Sequence, residues 1–152
     1  MAKASFVGVD TPLIVAHGLA DHPDHEAAKS LVEEVLDAGQ LLALCPIIVD
    51  EFIHVVTDPR RFERPLPMNE ALRLAEGWCQ SRETQMLYPT EASVQLQLVW
   101  MREHRLGRKR LHDTHIAAIY HLAGVSTILT SNARDFSVFA GLKLRLLDSG
   151  KN

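Results

Sequence analysis

Only two cysteines, Cys45 and Cys79, occur in 152 residues. That is too few for a disulfide scaffold, and they do not supply the ligands of a structural zinc site. Both lie in apolar surroundings and are expected as buried free thiols. No apolar run approaches the length of a membrane span, and the N-terminus lacks a charged-then-apolar signal pattern. The expectation is a cytoplasmic protein without membrane contact. Gly-rich phosphate loops and a Ser–His–Asp order are also missing. The net charge of −3 excludes nucleic-acid binding by bulk electrostatics alone. Repeats, low-complexity tracts and linkers are absent. With 47% apolar residues, the chain reads as one domain over residues 1–152.

What is present is an alternation of strand-like and helix-like segments. Ser5 to Val9 is a β-rich run, and Thr11-Pro12 starts a helix that runs through Leu19. Asp24 is placed to cap a second helix with Ala28, Leu31, Val32, Val35 and Leu36 in one stripe, ended by Gly39. Gln40 to Leu44 is a strand, and Pro46 opens the next helix. Thr57 to Pro67 is a loop, followed by a helix with Ala71, Leu72, Leu74, Ala75 and Trp78 inward. Gln85 to Tyr88 is a short strand. The helix after Thr90 carries Val94, Leu98 and Met101 on one face, and Asp113 to Ala123 is the next. Thr127 to Thr130 is a strand, Asn132 to Phe139 a loop or short helix, and Leu142 to Leu147 a last strand. This order predicts an α/β fold with a central, mainly parallel sheet covered by helices on both faces.

Three isolated acids fall where such a fold focuses chemistry. Asp10 ends the first strand, at the edge where ligands bind in open parallel sheets. Glu51 interrupts an apolar helix face in Cys45-Pro-Ile-Ile-Val-Asp-Glu51-Phe-Ile, with Ile47, Ile48 and Val55 one turn away. Asp113 sits in the first turn of its helix in Leu111-His-Asp113-Thr-His-Ile-Ala-Ala. Singly, Asp10 can cap a turn and Asp113 can serve a helix dipole; Glu51 amid Ile and Val has no inexpensive structural purpose. Carboxylates at core-facing positions are costly unless paired or bound to a cation. Their convergence points to Mg2+ or Mn2+, which prefer oxygen ligands, and so to metal-assisted hydrolysis.

Charge is distributed unevenly. Residues 1–37 carry seven acids against Lys3 and Lys29. Arg102, Arg105, Arg108, Lys109 and Arg110 face a single Glu103, and Arg60, Arg61 and Arg64 form a second basic knot. Basic knots beside an acidic centre are compatible with a phosphate backbone contact; each alone is equally a solvated surface. The run Asp21-His22-Pro23-Asp24-His25 has metal-ligand residue types but is better explained by loop and cap chemistry. His112 and His115 bracket Asp113 and read as helix-surface residues, with contact to a phosphate the sharper alternative. Thr114 and Ser131 have packing or turn roles or hydrogen bonds to the site acids. Phe52, Trp78, Trp100 and Tyr120 read as core or oligomer contacts.

The order Val-Asp10-Thr, Cys-Pro-Ile-Ile-Val-Asp-Glu51-Phe, Arg-Leu-His-Asp113-Thr-His-Ile-Ala-Ala and Ile-Leu-Thr-Ser-Asn132-Ala-Arg-Asp135-Phe resembles the PIN-domain family. Within it the likeness is to VapC-type toxins of bacterial toxin–antitoxin pairs. It spans nearly the whole chain, and the four motifs in order are fairly specific. The resemblance implies a three-layer α/β/α fold and a divalent-metal-dependent endoribonuclease, with RNA as substrate, an antitoxin as partner and a homodimer as assembly. It also implies that Asp10, Glu51 and Asp113 bind Mg2+ or Mn2+, with Asn132 or Asp135 completing the site. Arg108, Lys109 or Arg110 is expected to seat the RNA backbone. The chain departs from the family at Asn132, where the fourth acid falls, and at Pro12, where asparagine is usual. Those departures keep a second reading open, a catalytically weak PIN-like module that binds RNA or protein. DNA remains open as a target as well. A haloacid-dehalogenase-like reading fails because Pro12 occupies the place of its second acid.

Overall fold

The computed structural model describes residues 5–139 and 141–146. Five strands form one sheet in the order β3-β2-β1-β4-β5, and every pairing is parallel. They are β1 (Phe6–Val9), β2 (Leu41–Leu44), β3 (Thr84–Met86), β4 (Thr127–Thr130) and β5 (Lys143–Leu146). Between them run α1 (Thr11–Gly18), α2 (His25–Asp37), α3 (Pro46–Val56), α4 (Met68–Gln80), α5 (Glu91–Glu103), α6 (Leu111–Leu122) and the one-turn α7 (Ala133–Phe136). This is the expected α/β/α architecture, with a sheet that is wholly parallel. Leu147, assigned by sequence to the last strand, lies outside the described residues.

The order of the strands sets the site. The chain leaves β1 towards β2 and β3 on one side, and returns to pair β4 and β5 on the other. The carboxyl ends of β1 and β4 are therefore the switch point of the sheet, where successive connections diverge and leave a crevice. Asp10 follows β1, and Ser131 and Asn132 follow β4.

The core is continuous across the sheet. Val7, Val9, Leu42, Leu44, Ile128 and Leu129 from the strands meet Leu13, Ile14, Ile48, Phe52, Ile116 and Tyr120 from the helices, all buried. Tyr120 of α6 crosses over β1. Its hydroxyl donates to the carbonyls of Val9 (2.6 Å) and Ala43 (2.9 Å). This contact requires glycine at position 8, since a Cβ there would stand 2.7 Å from Tyr120 Cε2. Burying a tyrosine with its hydroxyl satisfied secures apolar area without an orphan polar group. It also fixes α6, and with it Asp113 two turns earlier, against the strand that ends in Asp10.

Several sequence expectations change. Cys45 is buried, its thiol pushed up to about 12 by desolvation, but Cys79 is exposed. It falls on the outer face of α4, whose buried residues are Ala71 and Ala75. Leu72, expected inward, is 44% exposed for the same reason. On α5 the buried positions are Ser93 and Gln97, while Val94 and Leu98 are 40% and 53% exposed. Gln97 is satisfied inside by donating to the Leu111 carbonyl at 3.0 Å. An apolar stripe therefore faces away from the core, which periodicity alone cannot orient.

Candidate metal centre and cleft

Asp10 is the N-cap of α1 and only 3% exposed. An N-cap carboxylate usually accepts from the second or third amide of its helix. Here the second helical residue is Pro12, which has no N–H. Asp10 Oδ1 accepts from the Thr11 amide at 2.8 Å, and Oδ2 from the Thr130 hydroxyl at 2.8 Å. Thr130 in turn accepts from the Asn132 amide at 2.8 Å. The carboxylate is thus held on both oxygens by neutral donors and keeps lone pairs free for a cation.

Glu51 reaches the same point from α3 and is half-buried. Its Oε2 accepts from the Thr11 hydroxyl at 2.5 Å, and its Oε1 stands 3.4 Å from His112 Nδ1. Thr11 therefore touches two acids, one through its amide and one through its hydroxyl. Asp113 enters from the first turn of α6 and is also half-buried.

Burial and neighbouring charge perturb two of these acids. Burial raises Asp10 to about 6 against hydrogen bonds from Thr130 and Thr11, with Glu51 and Asp135 adding to the rise. Asp113 is raised to about 7 by burial first, then by Asp10, Asp135 and Glu51, with Arg110 opposing. Such mutual repulsion is what a bound cation relieves.

A cleft of about 960 Å³ opens over the three acids, with Asn132, Ser131, Lys109 and His112 among its other lining residues. The remaining predicted residues sit differently. Asp135 does not line the cleft. Its Oδ1 lies 3.6 Å from Arg110 Nε, and its main-chain carbonyl accepts from the Arg110 guanidinium. Arg110 is thereby turned away from the cleft, and Arg108 is exposed outside it. Of the basic run, Lys109 alone lines the cavity. His115 points to α5, with Nε2 3.2 Å from Ser93 Oγ. Thr114 donates to the Arg110 carbonyl at 2.6 Å.

Two residues that sequence reasoning set aside arrive in the cleft, His22 and Asp24. Asp24 makes no side-chain cap bond to α2, its amide instead donates to His22 Nδ1 at 3.0 Å, and its Oδ1 is buried without a partner. Thr11 and Thr130 were not singled out either. A threonine beside a site acid carries no signal until its partner across the fold is known.

Residues 7–142 match the PIN domain. The chain belongs to the PIN domain family. It is 25% identical over 135 residues to Ribonuclease VapC24 of Mycobacterium tuberculosis, covering 88% of this chain and 90% of that protein. Among solved structures, Mycobacterium tuberculosis VapC20, described as a Sarcin-Ricin loop cleaving toxin, superposes with a TM-score of 0.66 at 20% identity. The alignment covers 91% of this chain and 98% of VapC20. DNA-bound VapBC from Salmonella typhimurium gives 0.66 at 16% identity, over 96% of this chain and 100% of that one. These likenesses show that the PIN fold extends over almost the full described chain.

The PIN centre fits a hard divalent ion on its donor chemistry: convergent carboxylate oxygens and no thiolate. Among the described residues, no three His, Cys, Asp or Glu side chains already form a closed group of ligands. That is compatible with Mg2+, which keeps several waters of its own.

Proposed function

We propose that this PIN domain is a divalent-metal-dependent endoribonuclease that acts as the toxin of a type II toxin–antitoxin pair. The observation that carries this reading is the convergence of Asp10, Glu51 and Asp113 on one cleft at the switch point, with Asp10 and Asp113 raised by burial and neighbouring acids and Asp10 and Glu51 held by neutral donors. The likeness to Ribonuclease VapC24 supports RNA as the substrate, and the VapBC complexes support an antitoxin partner.

In this mechanism Asp10, Glu51 and Asp113 would hold Mg2+ or Mn2+, with Asn132 on the wall of the cleft and Asp135 adding charge near it. When bound, such an ion would supply Lewis acidity for hydrolysis of a phosphodiester. Thr130 and Thr11 fix the Asp10 carboxylate so that its free lone pairs face the cleft. Thr11 does the same for Glu51. Lys109 seats a phosphate of the RNA backbone at the cleft wall. Arg110 acts at one remove, by holding Asp135.

The exposed apolar stripe of α5, Val94 and Leu98, supports a homodimer face. No helix among the described residues is long and apolar enough to cross a membrane.

The reading is tested with end-labelled structured RNAs, the purified chain and Mn2+, beside EDTA and Asp10→Asn. Metal-dependent cuts that vanish in the variant support the nuclease. An intact, inhibitor-free chain that never cuts moves the assignment to the alternative, a PIN-like binding module. That alternative draws on the neutral Asn132 at the fourth acidic place.

A further inference from the structure

Beyond the acids, the cleft does not end. A second hollow of about 810 Å³ continues from it, and His22, Arg61 and Phe62 line both. Lys109 lines only the first. A strand of RNA in the acid cleft that follows the opening into the second hollow therefore meets Arg61 and Phe62.

The turn that presents this pair is built for rigidity. Asp58, its side chain 12% exposed, accepts from the Arg60 amide at 2.9 Å. Its oxygens also stand 3.5 Å from Arg60 Nε and 3.6 Å from Arg61 Nε. The Arg61 and Phe62 amides close back on the Asp58 carbonyl at 3.1 and 3.3 Å, and the Leu66 amide donates to the Val56 carbonyl at 2.8 Å. The Arg60 amide bond, and then the two guanidinium charges, hold the Asp58 carboxyl below its usual range. Arg61 and Phe62 are thus placed before any ligand arrives.

The chemistry of the hollow separates a base from a phosphate. Phe62 and Leu66 are half-buried and give it an apolar wall. Asp21 and Glu63 on its lining are exposed carboxylates with no ion pair among the described residues. They accept hydrogen bonds from the edge of an uncharged ring, while Arg61 and Arg64 on the same lining answer phosphates on either side of it. Single-stranded RNA is read in this manner, by an unstacked base set against an aromatic side chain with its edge hydrogen-bonded. Arg61, at the junction, is positioned for the phosphate between that base and the acid centre.

We infer that the hollow between the Asp58–Phe62 turn and the Asp21–His22 segment is a base-recognition subsite for the RNA strand flanking the cut. It selects a base whose edge donates two adjacent hydrogen bonds to a carboxylate, which among the four is guanine. The inference rests on the nuclease reading for its substrate and adds to it the origin of sequence preference.

The test uses a randomised single-stranded RNA library cut by the full chain with Mn2+, with the sequences around the cuts read out. Wild type is expected to favour guanine at one fixed position beside the cut. Phe62→Leu and Glu63→Gln are expected to reduce that preference about tenfold, the scale of one base–aromatic contact, leaving preferences at other positions intact. Glu63 is on the surface, so Glu63→Gln keeps the test valid if Phe62→Leu melts early. An unchanged preference in both variants overturns the subsite, and is the result expected if the hollow receives a protein segment. If wild type does not cut, the nuclease reading fails separately. The library is then selected for binding to the same three proteins, where loss of a guanine preference supports the subsite and absence of one in wild type overturns it.

Discussion

The Thr11 hydroxyl donates to Glu51 Oε2 at 2.5 Å while the Thr11 amide donates to Asp10 Oδ1 at 2.8 Å. One residue thus sets the relative position of two acids, one its immediate neighbour and the other 40 residues on. Thr11→Val keeps the shape and removes the hydroxyl. It is expected to weaken Mn2+ binding about tenfold, as loss of an outer hydrogen bond to a metal ligand does. Thr11→Ser should restore most of the affinity. Calorimetric titration with Mn2+ checks both, and equal affinity in all three proteins would remove Thr11 from the site.

Asp10→Asn and Asp113→Asn are each expected to abolish RNA cleavage while leaving the fold intact. They should also abolish the rise in Tm that saturating Mn2+ gives wild type by mass action. Circular dichroism and a thermal melt with and without Mn2+ separate loss of the ion from loss of the fold. Full activity in either purified variant would sink the assignment of that residue.

The raised carboxyls make a prediction about pH in metal-free protein. Between about 4 and 7 the unfolded chain ionises Asp10 and Asp113 while the folded chain resists, so stability falls as pH rises through that window. The loss from Asp10, raised from 3.8 to about 6, is on the order of 3 kcal/mol. In EDTA, Asp10→Asn should therefore gain stability over wild type at pH 8 and gain little at pH 4. Denaturant melts at the two values decide it, and a pH-independent difference would contradict the shared field.

Lys109→Ala is expected to weaken RNA binding across sequences and to lower the slope of log affinity against log salt by about one charge. Arg110→Ala should leave that slope nearly unchanged and act through the released Asp135. Binding isotherms at three salt concentrations distinguish a phosphate contact from an internal brace.

Gly8→Ala drives a Cβ to 2.7 Å from the Tyr120 ring. A cost of about 1–3 kcal/mol is expected from overpacking alone. Tyr120→Phe leaves the Val9 and Ala43 carbonyls without its hydroxyl and should cost about 1–3 kcal/mol. Urea unfolding of the single and double variants reads the coupling between the two positions.

The sequence declared the acids because each breaks a local pattern: Asp10 closes an apolar strand, Glu51 interrupts an apolar helix face, Asp113 opens a helix. The alternation of elements gave the parallel sheet for the same reason. What stayed hidden depends on partners distant in the chain. Asp24 stands at the start of α2 as expected, but its side chain makes no cap bond and lines the cleft instead. Arg110 looked like a substrate contact until Asp135 was seen beside it. The stripe of Val94 and Leu98 could be found by spacing, but which way it faces is decided by what Gln97 and Ser93 meet inside.

Thr130 is 120 residues from the Asp10 it holds, and Tyr120 braces β1 from 111 residues away. A growing chain holds Asp10 long before it has Thr130 or a seated α6. The acid centre is therefore set late, once β4 has been made and paired with β1.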